Sequence, residues 1–222
     1  MKKYLIGFVP AILLALVAIT YITVGNKNSI NGVDQNKLVE LNNLNETEKD
    51  SCCMTVLNAS DHSENSIYNL TNNWIDENEN SIKLKKFEGK RVVLAMVYTS
   101  CPTACPVIVN NMKNLESAIS QKERNNYHFV LVSIDPERDT PKKLNSFAFE
   151  KNLDTKTWTL LTGSKNSVAE LAELIGFKYK KNANGTFTHS NLITFLDNQG
   201  VIINQCEGLN QSSQKLIAML DK

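Results

Sequence analysis

From Tyr4 to Asn26 the chain runs YLIGFVPAILLALVAITYITVGN without a charge, directly behind Met1-Lys2-Lys3. A helix rises about 1.5 Å per residue, so roughly 20 such residues cross a hydrocarbon core. The pattern predicts a transmembrane anchor over residues 1–25, which Pro10 would at most kink, and the two lysines favour a cytoplasmic N-terminus. A cleavable signal peptide would share the positive start, but the run is long for its apolar core and has no A-x-A site. Residues 26–65 then lose all periodicity. They are rich in Asn and acidic residues, as in LVELNNLNETEKD, and bury too little apolar surface to offset ordering entropy, so they read as a flexible tether.

At Ser66 the pattern tightens into one domain, 66–222. SIKL (81–84) is a short strand and EGK (88–90) a turn. RVVLAMVY (91–98) is continuously apolar, as expected of a central strand covered on both faces. After it Ile108, Met112, Leu115 and Ile119 recur at helical spacing. YHFVLVSI (127–134) is a second buried strand, followed by a helix with Thr140 as N-cap and Pro141 at its first position. TWTLLTG is a third strand. SVAELAELIGF is a helix with Ser167 and Glu170 in capping-box spacing and Gly176 at its end. NLITFL and VIINQ, joined by DNQG, form a hairpin, and SSQKLIAML closes the chain as a helix. The order β-α-β-α-β-α-β-β-α predicts an α/β, thioredoxin-like fold with a central mixed sheet flanked by helices.

The 222 residues suffice for one medium domain with appendages, and 24 basic against 23 acidic residues offer no basic surface for nucleic acid. Export of the domain past the anchor would put its cysteines where disulfides can form.

Chemistry concentrates in VYTSCPTACPVIVNNM (97–112). Pro106 suits the start of a helix, which sets Cys105 at or beside the N-cap and Cys101 in the loop before it. Open backbone N–H groups there stabilise thiolate, the form that binds metal or attacks a disulfide. Thioredoxin-type sites use two intervening residues; Pro102, Thr103 and Ala104 make three here, which also lets both sulfurs converge on one ion. Two thiolates leave a soft cation such as Cu(I) under-coordinated, and an imidazole would complete the site. Of the three histidines, His128 sits inside a buried strand pattern and His62 in the tether. His189, just before the penultimate strand, is either the third ligand or an ordinary loop histidine.

Three separated blocks, YTSCPTACP, SIDPERDTPKKL and THSNLITFLDNQG, resemble the Sco/SenC family over residues 66–222. The resemblance implies a membrane-anchored, thioredoxin-like protein binding one copper, as Cu(I) or Cu(II), through Cys101, Cys105 and His189. It implies a role in assembling the dinuclear copper site of cytochrome c oxidase, with the copper-bearing subunit as partner and other copper chaperones or thioredoxin-like reductants as further ones. Asp135 matches the aspartate near the metal and is expected to orient a ligand or dock a partner, unless it is a loop carboxylate beside Pro136. Asp139 and Thr140 read as helix-capping residues. Thr103 and Thr188 stand where the family often carries acids, and no proline follows Pro141 to supply the cis-proline of ordinary thioredoxins.

Vicinal Cys52 and Cys53, with Met54 and His62, are either a second transient copper site or redox relay, or two exposed thiols. Cys206 reads as a half-buried, unpartnered filler. The short Lys-Lys start favours a bacterial inner membrane with the domain in the periplasm or outside. The leading expectation is a metallochaperone without enzymatic turnover. A thiol–disulfide oxidoreductase using Cys101 and Cys105, and a peroxide or copper-stress sensor, remain as alternatives.

Overall fold

The computed structural model describes residues 65–220 and the backbone of residues 53–55. The expected anchor over 1–25 and almost all of the tether lie outside them, and no helix among the described residues is long and apolar enough to cross a membrane.

Among the described residues the strands are β1 (Cys53–Thr55), β2 (Trp74–Asp76), β3 (Ser81–Ile82), β4 (Arg91–Val97), β5 (Tyr127–Ser133), β6 (Trp158–Gly163), β7 (Tyr179–Lys181), β8 (Phe187–His189), β9 (Leu192–Leu196) and β10 (Ile202–Glu207). The helices are α1 (Ala104–Ala118), α2 (Pro141–Glu150), α3 (Lys165–Leu174) and the short α4 (Ser213–Ile217). Eight strands form one sheet in the order β1-β10-β9-β4-β5-β6-β2-β3, and β7 with β8 makes a separate hairpin. β4, β5 and β6 are parallel to one another, whereas β9 joins β4 antiparallel. This is the mixed, helix-flanked sheet expected from the element order.

The two strands read as fully covered are so: every residue of β4 after Arg91, and of β5 after Tyr127, is buried. α1 packs Cys105, Ile108, Val109, Met112 and Leu115 into the core at three- and four-residue spacing. At α2, Thr140 accepts the Lys143 N–H as N-cap and Pro141 opens the helix, as expected.

Several local expectations are corrected. The N-cap of α3 is Ser164, whose hydroxyl accepts the Ser167 N–H at 3.0 Å; it stands three residues ahead of Ser167 and outbids it for the cap. SIKL stops as a strand at Ile82, and Leu84–Phe87 turn into a 3-10 helix that buries Leu84 and Phe87. β1 comes from the stretch read as tether and pairs with β10. Cys206 is not half-buried and free: it lies inside β10 at 1 % exposure and takes part in a disulfide. Its partner across the β1–β10 ladder is Cys53, so antiparallel pairing brings a second cysteine backbone opposite it. The Cys53 side chain and Cys52 lie outside the described residues.

The β7–β8 hairpin has no counterpart in the sequence reading. Its turn is built on Asn184-Gly185, with Gly185 at φ +80° and the Asn184 carboxamide oxygen accepting the Thr186 N–H at 3.1 Å. Asn-Gly is a strong hairpin signal, and the flanking KYKK and FTH segments are too short to show alternation on their own.

Candidate metal centre

The C-terminal ends of β4 and β5, the first turn of α1 and the end of β8 meet at one place. β4 delivers Tyr98, Thr99 and the cysteine loop. α1 begins at Ala104 rather than Pro106, with Thr103 as an N-cap that makes no side-chain bond. Cys105 is therefore the second helical residue, two positions past the N-cap expected for it but still in the first turn. Cys101 stays in the loop and receives the Cys105 N–H on its sulfur at 3.4 Å.

His189 reaches this point from the far end of the sequence. The Cys105 sulfur and His189 Nε2 are 3.9 Å apart, and the donor atoms of Cys101, Cys105 and His189 all lie within 4.8 Å of one another. Nδ1 of His189 faces the Ser190 carbonyl at 2.7 Å. A carbonyl only accepts, so Nδ1 carries the hydrogen, and in the neutral ring the Nε2 lone pair faces the sulfurs. Aromatic packing fixes the ring: Phe177 stacks on it at 6.0 Å, and Tyr98 meets it edge-on at 5.8 Å. Phe177 is there because Gly176, at φ +69°, reverses the chain after α3. Gly176 N–H bonds the Glu173 carbonyl (3.1 Å) and Phe177 N–H bonds that of Ala172 (2.7 Å), a paired closure that turns Phe177 into the core.

The sequence treats the two thiols alike, but the structure separates them. Burial pushes Cys101 up, yet the Cys105 N–H, the His189 side chain and the Thr103 N–H outweigh it and bring the thiol down to about 6. Cys105 is fully buried, and that burial drives its thiol well above the ordinary range. The Tyr98 N–H opposes the rise, while the Cys101 thiolate and Asp139 add to it. The helix N-terminus favours thiolate at both, but only half-buried Cys101 keeps enough polar contact for that to win. The Tyr98 phenol is likewise raised, by burial first, with the Phe187 N–H opposing and the Cys101 sulfur contributing.

Asp139 does not cap α2. It is 1 % exposed and accepts three hydrogen bonds: Thr99 N–H at 3.0 Å, Thr99 Oγ1 at 2.6 Å and Ser133 Oγ at 2.5 Å. It thereby ties the root of the cysteine loop to the end of β5, a role that DPERDTP does not reveal because Thr99 is forty positions away. Asp135 is also buried, but its carboxylate pairs with Arg138 and, at 3.9 Å, with Lys181 rather than with a sulfur or the imidazole. His128 is a core residue, stacked on Phe87 with Nε2 2.9 Å from Thr159 Oγ1. His62 lies outside the described residues.

Two thiols and one neutral imidazole within bonding reach of a common point suit a soft, thiophilic ion, and nothing in the set favours a hard oxygen-seeking one. Known proteins agree in fold and sequence. The SCO1/SenC family model matches residues 60–222. The SCO1 homologue of Bacillus subtilis is 31 % identical over 98 residues, which cover 44 % of this chain and 50 % of that protein. The chain thus spans about half the length of that relative. A SCO1/SenC family lipoprotein from Bacillus anthracis superposes with a TM-score of 0.61 at 26 % identity, over 67 % of this chain and 90 % of that one. Arabidopsis thaliana ScoI, solved with copper bound, gives 0.60 at 22 % identity, over 67 % and 92 %. The match across most of the chain, on a shared fold, makes this protein a member of the SCO1/SenC family.

Proposed function

We propose that the protein is a copper metallochaperone serving assembly of the dinuclear copper site of cytochrome c oxidase, with copper as cargo on Cys101, Cys105 and His189. The observation that carries this reading is the convergence of two sulfurs and an oriented imidazole nitrogen within 4.8 Å. Cys101 supplies a thiolate near neutral pH, and Cys105 gives up its proton as the metal binds. Cys101 and His189 are half-buried, so the cargo would sit where an incoming thiolate can reach it. The copper-bearing ScoI structure supports the choice of metal. We further propose that the uncharged run from Tyr4 to Asn26 holds the domain at the outer face of a bacterial inner membrane.

Titration of the reduced full-length protein is expected to give about one copper equivalent, with sulfur-to-copper charge-transfer absorption for Cu(II). Transfer to the copper-free soluble domain of the oxidase subunit should follow. An unchanged signal in His189→Ala would remove the imidazole from the site, and retention of copper in the presence of that acceptor would remove the chaperone role.

A second reading, a thiol–disulfide oxidoreductase, is favoured by one accessible sulfur beside one buried sulfur. Cys101 would attack a disulfide of an exported protein, Cys105 would displace the mixed disulfide, and the substrate would leave as a dithiol with Cys101–Cys105 oxidised. Reductase activity that survives His189→Ala without copper would select this reading.

A further inference from the structure

Beside the metal centre, on the far side of Phe187, an open groove of about 240 Å³ runs between the end of β5, the start of α3 and the β7–β8 hairpin. That volume suits one large side chain and falls short of the roughly 300–1,000 Å³ of small-molecule sites. Its floor is apolar, with Val168, Tyr179 and Phe187. Two of these residues are tied to the metal donors: Phe187 precedes His189 by two positions in β8 and packs on Tyr98 at 5.2 Å, and Tyr179 is the strand partner of His189. The groove and the imidazole thus share the β7–β8 hairpin, separated by the Tyr179 and Phe187 side chains.

The rim is cationic. Lys165 and Lys181 converge from different elements onto the single carboxylate of Glu137, one oxygen each, at 2.5 and 2.6 Å. Lys180 stands beside them, and Lys181 also lies over the Phe187 ring at 5.8 Å. All three members of the Glu137 cluster are exposed, with side-chain exposures of 49 % for Glu137, 71 % for Lys165 and 43 % for Lys181. Such solvated pairs contribute little to the fold and exchange partners readily. Asp135, by contrast, is 1 % exposed and held by Arg138 and Lys181, so it fixes the wall. Glu137 thus occupies, from the chain itself, a ready-made position for one carboxylate above an apolar slot.

We propose that this groove docks an acidic segment of the partner protein, which inserts an apolar side chain between Tyr179 and Val168 and places its own carboxylate between Lys165 and Lys181 in place of Glu137. That the partner is the copper acceptor rests on the function proposed above; the docking chemistry does not. Charge complementarity at the rim would set the rate of encounter, and the groove would set the register that brings the acceptor thiols to Cys101.

The test uses the full-length, reduced, metal-free protein, so failure of copper binding and failure of docking are separate results. Two labelled peptides, one tryptophan flanked by four glutamates and the same tryptophan flanked by four lysines, are titrated by fluorescence anisotropy at low salt and in 0.5 M salt. The glutamate peptide is expected to bind at least tenfold more tightly, with the margin collapsing at high salt. Glu137→Gln should tighten it several-fold further, and the Lys165→Glu/Lys181→Glu double variant should erase the preference. The gain in Glu137→Gln cannot come from a damaged fold. The proposal is overturned if the peptides bind alike, or if Glu137→Gln leaves affinity unchanged or lower. It is also overturned if charge reversal instead abolishes self-association or adhesion to phosphatidylglycerol vesicles while peptide binding is unaffected.

Discussion

The separation of the two thiols gives a quantitative expectation for the metal-free protein. With Cys101 at about 6, nine-tenths of it is thiolate at pH 7. An ordinary thiol near 8.5 is about 3 % ionised there. A thiolate of lower pKa is also a weaker nucleophile, by about 0.4–0.5 log units per pKa unit, so the roughly 30-fold gain in thiolate shrinks to about twofold in rate at pH 7. The rate at neutral pH is therefore a poor discriminator, and the pH profile is a good one. At pH 5.5 the same arithmetic leaves Cys101 about 20-fold faster than a free cysteine, with a plateau above pH 7. Alkylation with iodoacetamide, read by peptide mass spectrometry, should give a midpoint near 6 for Cys101 and almost no labelling of buried Cys105. Because His189 is among the groups that lower Cys101, the midpoint should rise in His189→Ala. A Cys101 midpoint at 8–9, or earlier labelling of Cys105, would refute the electrostatic account.

The remaining expectations concern the frame around the site. Burial, with Lys90 and Lys86, lowers His128 from 6.5 to about 4. The folded protein keeps the ring neutral, so stability is complete above about pH 6.5. It falls by on the order of 3 kcal/mol as pH drops from 6.5 to 4. Urea denaturation at pH 7 and pH 4 should show this loss in the wild type and much less of it in His128→Asn. In Gly163→Ala, the new methyl would sit 2.8 Å from Cε3 of fully buried Trp74. Overpacking of this kind costs about 1–3 kcal/mol and should lower Tm by several degrees. Asp139→Asn weakens three hydrogen bonds at the root of the cysteine loop and should cost about 2–4 kcal/mol. Copper affinity should fall with it while the copper ligands remain the same, as read by denaturation and competitive copper titration.

Much of the fold follows from local pattern. RVVLAMVY and YHFVLVSI could only be central strands, and Thr140-Pro141 and Gly176 mark helix ends by backbone chemistry that holds in any context. Elements whose stability is tertiary were not legible. β2 is three residues long and is held between β6 and β3, with Trp74 packed against Gly163 of β6. β1 rests on β10, which no local signal near Cys53 announces. The same division runs through the site. Cys101 and Cys105 are visible as a pair in one loop, whereas His189 needed the family resemblance, since its approach depends on the β7–β8 hairpin and the Phe177 turn. The two thiols, alike in the sequence, differ because burial, a property of the whole fold, acts on Cys105 far more than on Cys101. Asp139 departs from the capping expectation for a related reason: its sequence neighbour Thr140 is a cap, but its own partners come from β5 and the loop after β4.

Cys105 and His189, 84 positions apart, are brought together beside Cys101 into one soft-metal site. X-ray absorption at the copper edge of the full-length protein, loaded with one equivalent of Cu(I), tests it most directly. Two sulfur neighbours and one imidazole nitrogen are expected in the wild type, and two sulfurs without that nitrogen in His189→Ala. An all-sulfur environment in the wild type, or an imidazole signal that survives His189→Ala, would contradict it.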